Sequence, residues 1–512
     1  MATDRAVFEI PRRHNPFPTD GVSQLDGAPR YDDLPATLLD LLRTQVDERP
    51  DSEAVVELGA ERLTYRQLWD RASRVAGGLR ARGVGPGDRV AVRYAAGADW
   101  VLAFWGTVMA GAVAVAVNTR SAQPEVEFVL TDSGTVVDLV ADAPLPDGEP
   151  YVTEDAAADD VAALFYTSGT TGKPKGVPTT HEAFVTNAEN MARCLGVPRD
   201  VGEGLRTLVS VPLFHVTGCN SQLLTAVRLG GTAVIMPSLD VGELISTLSE
   251  ERISLLVTVP AVYALVLRRD TFAAADVSAV RWVGYGGAPI EPSLVASLKR
   301  AFPRAQVFNG YGMTETASLV TVLPDDDAVD HADSVGYAVP SVRLGISPLG
   351  DDPEVGELVV RGANVTGGYW NRPEADAATI VDGWLHTGDV VRVDDAGRVH
   401  IVDRIKDIIN RGGENISSIE VEAALAGAPG VAEAAVVAVA DEVMGEKVGA
   451  VIHGSGEQVD IDAVIEHCRG QLAEFKLPQY MVVSDRPLPR NPGGKLLKDR
   501  LRSDVEWGDP LR

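Results

Sequence analysis

Between residues 100 and 118 the chain runs WVLAFWGTVMAGAVAVAVN, without one charged side chain. A stretch of that length either crosses a membrane or lies in the core of a globular fold. Gly106 and Gly111 interrupt it, and its second half is small and β-branched. The pattern therefore predicts a buried helix that turns at Ala110–Gly111–Ala112 into a core strand. Similar pairings recur. From Leu38 to about Gly134, helical patterns (LLDLLRTQVDERP, YRQLWDRASRVAGGLRARG) alternate with apolar strands (RVAVRY, AVAVAVN). The alternation resumes in TLVSVPL, TAVIMP, ELISTLSEERIS, LLVTVP and VRWVGYGGAPI. Strands separated by helices imply parallel sheets covered on both faces.

Near residue 335 the texture changes. GELVVRG and WLHTGDVVRVDDAGRVHIVDR predict short antiparallel strands joined by Asp/Gly turns, a small β-barrel-like subdomain. After DRIKDIINRGG a compact α+β pattern begins. The fold expected is thus α/β: a surface arm (1–35), a large parallel-rich domain (36–402), a hinge (403–406) and a mobile α+β C-terminal domain (407–512). The N-terminus has no apolar core of signal-peptide length, which points to a cytoplasmic protein that is not integral to a membrane. A net charge of −27 argues against nucleic acid and anionic membranes as partners. Cys194, Cys219 and Cys468 have neither disulfide nor metal-ligand spacing and read as packing residues. Monomer and homodimer both remain open.

Five segments carry chemistry. YTSGTTGKPKG (166–176) combines glycines, hydroxyls and two lysines, the makings of a phosphate cradle. It is not the common ATPase loop, because Pro174 follows Lys173 where that loop needs a Mg²⁺-binding hydroxyl. NGYGMTET (309–316) offers an aromatic platform between glycines, a hydroxyl at Thr314 and a hard oxygen ligand at Glu315. HTGDV (386–390) sets Asp389 at a turn, where it suits ribose hydroxyls or serves the turn itself. DRIKDIINRGGENIS (403–417) and PRNPGGKLLK (489–498) follow, the second presenting Lys495 on a Gly-rich loop.

In order and spacing these five segments resemble the adenylate-forming superfamily of acyl-CoA synthetases, luciferases and peptide-synthetase adenylation domains, from about residue 38 to 502. The resemblance implies that Thr167, Ser168, Thr170, Thr171 and Lys175, with Gly169 and Gly172, hold the β and γ phosphates of ATP. It implies adenine between Tyr311 and the backbone of Gly287, Ala288 and Pro289, flanked by Asn309, Gly310, Gly312 and Met313. Thr314 would contact the α-phosphate, Glu315 would bind Mg²⁺, and Asp389 and Arg404 would hold the ribose. Lys406 would be the pivot of the small domain, and Lys495 would reach the α-phosphate and the substrate carboxylate. After rotation, Gly412, Gly413, Glu414 and Asn415 would line a tunnel for the pantetheine arm of coenzyme A, while Asn415 or Ser417 could cap the following helix.

Membership narrows further at VPLFHVTG (211–218). Amino-acid-activating relatives carry an aspartate where this chain has His215, so an amino acid substrate is disfavoured. Phe214–His215 resembles the gate of fatty-acyl and aryl CoA ligases, although a core histidine bonded to backbone fits the same letters. His215, Val216, Thr217, Val259, Tyr263, Gly286 and Met313 are the expected acid pocket. None is Arg or Lys, which leaves a second carboxylate unpaired and favours an apolar monocarboxylic acid. Gly218, Gly284, Gly286 and Gly287 remove bulk, which suits a long chain or a ring system. No extra segment lies between HTGDV and the hinge, so CoA is the expected acceptor and an acyl-AMP ligase serving a carrier protein the alternative. Phosphoryl-transferring ATPase, luciferase-like oxidase and non-catalytic binder are weaker readings.

Overall fold

The computed structural model describes residues 7–167, 173–349, 354–454, 456, 459–490 and 496–511. Its largest sheet has nine strands. Gln306–Tyr311, Trp282–Gly286, Leu255–Thr258, Arg206–Val209, Thr232–Ile235 and Glu53–Glu57 lie side by side in parallel. Antiparallel strands close both edges. A five-stranded sheet holds Thr135–Val140, Arg89–Arg93, Val113–Ala116 and Val161–Thr167 in parallel, with Lys175–Thr180 antiparallel at its edge.

The uncharged stretch forms the buried helix Ala98–Met109 and then strand Val113–Ala116, reversed at Gly111 (φ +75°). Trp100 and Trp105 of this helix are fully buried in a core that also takes Val55 and Ile235 from the first sheet and Val90 and Phe165 from the second. Gly106 has a packing reason: a Cβ there would stand 2.4 Å from Val75 Cγ1, on the helix Tyr65–Ala81. No helix among the described residues is long and apolar enough to cross a membrane.

The third sheet is antiparallel and has six strands, including Val342–Pro348, Val355–Gly362, Trp384–Val393 and Val399–Arg404. The N-terminal arm adds Phe8–Glu9 to its edge, and Arg12 donates to the carbonyls of Val339 and Val342 at 3.0 and 3.2 Å.

After Arg404 the chain enters a separate five-stranded sheet with helices Ser418–Ala426 and Ile461–Arg469, packed on Ile409, Val436, Val448 and Ile452. Its attachment is narrow. Ser418 N–H donates to Asp403 at 2.5 Å, and Ser417 Oγ donates to the Val402 carbonyl at 2.7 Å. Among the described residues, no ion pair joins residues 407–511 to residues 7–402.

Candidate active site

The parallel strands of the nine-stranded sheet end at one edge, where Thr258 pairs with Tyr285 and Gly286 with Gly310. Ligands of open α/β sheets settle outside such carboxyl ends. Val259, Gly287, Ala288 and Pro289 are exposed there, next to Tyr311 and the turn Thr314–Thr316.

At one end of this crevice Thr167 and Lys175 face each other across the hairpin that carries the phosphate loop. Ser168, Gly169, Thr170, Thr171 and Gly172 lie outside the described residues. Lys175 Nζ stands 4.6 Å from the ring centroid of Tyr369, whose hydroxyl donates to Glu315 Oε1 at 2.8 Å. Tyr369, which lies outside the five motif segments, thus links the loop's lysine to the acidic residue of the next motif. Glu315 Oε2 keeps no protein partner among the described residues, and Thr366 N–H fixes the Glu315 carbonyl at 2.8 Å. No cluster of three metal-ligating side chains occurs among the described residues. One carboxylate with a free oxygen fits Mg²⁺, which is usually held by one or two carboxylates plus phosphate oxygens and water.

At the other end Tyr311 donates to Asp389 Oδ2 at 2.5 Å, while Arg404 Nε lies 3.3 Å from Asp389 Oδ1. Burial, and then the Asp389 charge, push the Tyr311 phenol far above its usual range, so it remains a donor. Gly287 (φ +73°) is open: a Cβ there would meet only Val259 Cγ1 at 4.0 Å. Gly312 is the opposite case, because a Cβ would fall 1.4 Å from the Ser318 carbonyl oxygen. Asn309 is turned inward, its amide 3.4 Å from the Ser334 carbonyl.

The residues expected to line the acid pocket are placed as follows. His215 packs on Phe214 with ring centroids 4.7 Å apart. Burial, and then the charge of Arg120, lower its pKa to about 4, so the imidazole is neutral at pH 7. Arg120 is far from His215 in the chain and belongs to none of the motif segments, yet its charge acts here. Val216 is buried, whereas Thr217 and Met313 are partly exposed. Val259 is 39% exposed.

Two expectations need correction here. Tyr263 does not line the pocket: it is fully buried, and its hydroxyl donates to the carbonyls of Leu256 (3.0 Å) and Gly284 (2.8 Å). Nor do the glycines mainly make room for substrate. Added Cβ atoms would sit 2.3 Å from the Phe308 ring at Gly284, 2.2 Å from the Gly310 carbonyl at Gly286 and 2.5 Å from the Pro212 carbonyl at Gly218. Protein already fills those spaces. Gly287 alone of the four opens outward.

On the small domain, Gly412 (φ +61°) and Gly413 (φ +96°) form the tight turn between strands Ile409–Arg411 and Glu414–Ile416. Two consecutive positive φ values explain both glycines. Ser417, not Asn415, caps helix Ser418–Ala426 by accepting from Glu420 N–H, and Asn415 Oδ1 takes the Asn410 amide at 3.3 Å. Lys406 Nζ lies 3.4 Å from Asp499 Oδ2. Lys495 lies outside the described residues; the helix that follows it, Lys498–Asp504, is tied back by Lys498 to Glu422 at 2.7 Å and by Arg502 to Asp407.

A family model for the AMP-binding enzyme matches residues 42–147 and 138–370, and one for the AMP-binding enzyme C-terminal domain matches residues 420–495. The chain belongs to the AMP-binding enzymes. It is 39% identical to a feruloyl-CoA synthase of Amycolatopsis sp, covering 87% of this chain and 95% of the relative. It is 35% identical to the long-chain-fatty-acid–CoA ligase FadD13 of Mycobacterium tuberculosis, covering 90% and 97%. It matches the structure of o-succinylbenzoate coenzyme A synthetase (MenE) from Bacillus subtilis, solved with ATP and magnesium ion, at a TM-score of 0.81 and 30% identity over 90% of this chain and 99% of that one. The adenylate-forming fold and the acid–thiol ligase class inferred from the motifs are thereby shown.

Proposed function

We propose that the acid is an apolar monocarboxylic acid, a medium- or long-chain fatty acid or one with a bulky ring, activated as acyl-AMP with release of pyrophosphate and then passed to CoA. The observation that carries this reading is His215 itself, buried and neutral, with no carboxylate among the described residues acting on its imidazole. The relatives named for a ring acid and for long-chain fatty acids lend it support.

In this reading the substrate carboxylate attacks the α-phosphorus, and negative charge grows on the α-phosphate oxygens. The nucleophile is already ionised, so the site needs preorganised positive charge rather than a general base. Lys175 and the loop hydroxyls grip the departing pyrophosphate. Thr314 and Lys495 act at the α-phosphate, and Tyr311, Asp389 and Arg404 fix the nucleoside. Glu315 would hold Mg²⁺, which neutralises phosphate charge when bound. Rotation about Lys406 then withdraws Lys495 and brings the hairpin turn Gly412–Gly413, with Glu414 and Asn415, to the pantetheine arm, where glycines allow close backbone approach.

Arg120 beside His215 favours a second reading, in which the acid carries a distal anionic group. Mass spectrometry of the products formed from ATP, Mg²⁺ and a panel of fatty, aryl and dicarboxylic acids, with and without CoA, tests both. The proposal expects AMP and pyrophosphate with apolar monoacids and an acyl-CoA only when CoA is present. Preference for a dicarboxylate overturns it in favour of the Arg120 reading. Acyl-AMP that never becomes a CoA thioester moves the acceptor to a carrier protein.

A further inference from the structure

The segment from Met313 to Leu319 carries Thr314 and Glu315, and it bends through two non-glycine residues of positive φ, Ala317 (51°) and Ser318 (116°). Such conformations cost about 1–3 kcal/mol each and persist only where the surroundings impose them. Here the surroundings are three fully buried asparagines. Asn187 accepts from Leu319 N–H at 3.0 Å, Asn220 donates to the Ala317 carbonyl at 2.8 Å, and Asn364 donates to the carbonyls of Thr316 and Leu319, both at 2.8 Å. Ser221 adds a hydroxyl pair with Ser318 at 2.8 Å.

The clamp is poor economy for stability alone. The other amide atom of each asparagine (Asn187 Nδ2, Asn220 Oδ1, Asn364 Oδ1) has no partner among the described residues. Each half-satisfied buried amide costs free energy, although without it the backbone group it meets would be buried unpaired. What the three amides do secure is one backbone path for the turn that carries the hydroxyl and the carboxylate.

Asn220 differs from the other two in its origin. It sits on the π-helix Thr217–Leu223, which begins directly after His215 and Val216 of the acid wall. A π-helix of this kind often marks a functional site, and two of its consecutive side chains, Asn220 and Ser221, hold the strained pair. One element therefore touches the acid side at its start and grips the catalytic turn at its middle.

We propose that Asn220 is a positioning residue that couples the acid pocket to the turn bearing Thr314 and Glu315. By holding the Ala317 carbonyl it keeps the turn in the strained geometry that aims both side chains at the nucleotide. A shift of the π-helix when the pocket fills passes to that turn through the same bond. This inference rests on the roles given above to Thr314 and Glu315.

The test compares Asn220→Ala, Asn220→Ala/Ala317→Gly and Glu315→Gln with the full-length enzyme. Each is assayed for thermal unfolding, for adenylation rate as a function of Mg²⁺, and for calorimetric affinity for ATP with and without Mg²⁺. Asn220→Ala is expected to stay folded and to lose about 10²-fold in adenylation rate, the scale of a small misplacement of reacting groups. Its Mg²⁺ requirement should rise roughly tenfold and its affinity for ATP should weaken only when Mg²⁺ is present, the response of a carboxylate no longer held in place. Glycine adopts positive φ freely, so Ala317→Gly should restore at least about tenfold of the lost rate. A rate loss with unchanged Mg²⁺ dependence and no recovery in the double variant overturns the proposal and leaves Asn220 a packing residue. If Glu315→Gln itself leaves Mg²⁺ dependence untouched, the reading of Glu315 is what fails. A Glu315→Gln effect with Asn220→Ala silent defeats the coupling alone.

Discussion

The two sides of the crevice are built differently. On the nucleotide side, side chains meet side chains: Lys175 over Tyr369, Tyr369 on Glu315, Tyr311 on Asp389, Asp389 with Arg404. On the proposed acid side little is tied: Val259 is exposed and His215 is neutral. The difference teaches where specificity can vary. A network of partly buried polar partners tolerates few changes, whereas an apolar wall can be reshaped one methylene at a time.

The largest expected break in that contrast is Asp389→Ala. It strips Tyr311 and Arg404 of their shared acceptor, so the KM for ATP should rise about 10–10²-fold, the scale of losing charge-assisted hydrogen bonds. Steady-state kinetics should show the same loss with every acid, and an acid-dependent loss would put Asp389 on the wrong side of the comparison. Next comes Val259→Phe, which fills part of the open wall. Ratios of kcat/KM between a long-chain and a short acid should shift about 10–10²-fold, with the KM for ATP nearly unchanged.

Gly284→Ala sharpens the comparison from inside the fold. Its Cβ would meet the Phe308 ring, so the enzyme should lose about 1–3 kcal/mol of stability in denaturant unfolding while its ranking of acids stays the same. An altered ranking would return Gly284 to the pocket. The smallest expected effect concerns pH. His181 Nδ1 accepts from Leu38 N–H at 3.2 Å, and burial lowers its pKa to about 4 from 6.5. Between those values the unfolded chain binds more protons than the native one, so stability is fully present above about pH 6.5 and declines as pH falls toward 4. Thermal unfolding temperatures across that window check the slope, and His181→Gln should flatten it.

Much of the nucleotide side was legible because its chemistry is written in short contiguous segments. The strand-and-helix alternation fixed the sheets for the same reason, since periodicity is local. The asparagine clamp was not legible. Asn187, Asn220 and Asn364 stand far apart in the chain, and each looks like any polar residue until the fold converges them. Tyr369 escaped for a similar reason, its value lying in what it touches. The glycines misled in another way: in a sequence, a glycine that admits a ligand and one that admits a neighbouring strand are the same letter. Gly286 is the second kind, excluded from holding a side chain by the Gly310 carbonyl. Tyr263 was expected in the pocket, yet its hydroxyl donates to the Leu256 and Gly284 carbonyls.

We propose a division of labour in time: one lysine for adenylation, then a rotated domain for thiol transfer. It is tested most directly by measuring the two half-reactions separately in Lys495→Ala. Pyrophosphate release from ATP and acid should fall by about 10²–10³, the usual scale for losing a preorganised contact to developing charge. Conversion of supplied acyl-adenylate and CoA to acyl-CoA should proceed at close to the unmodified rate. Equal loss in both half-reactions would contradict the account.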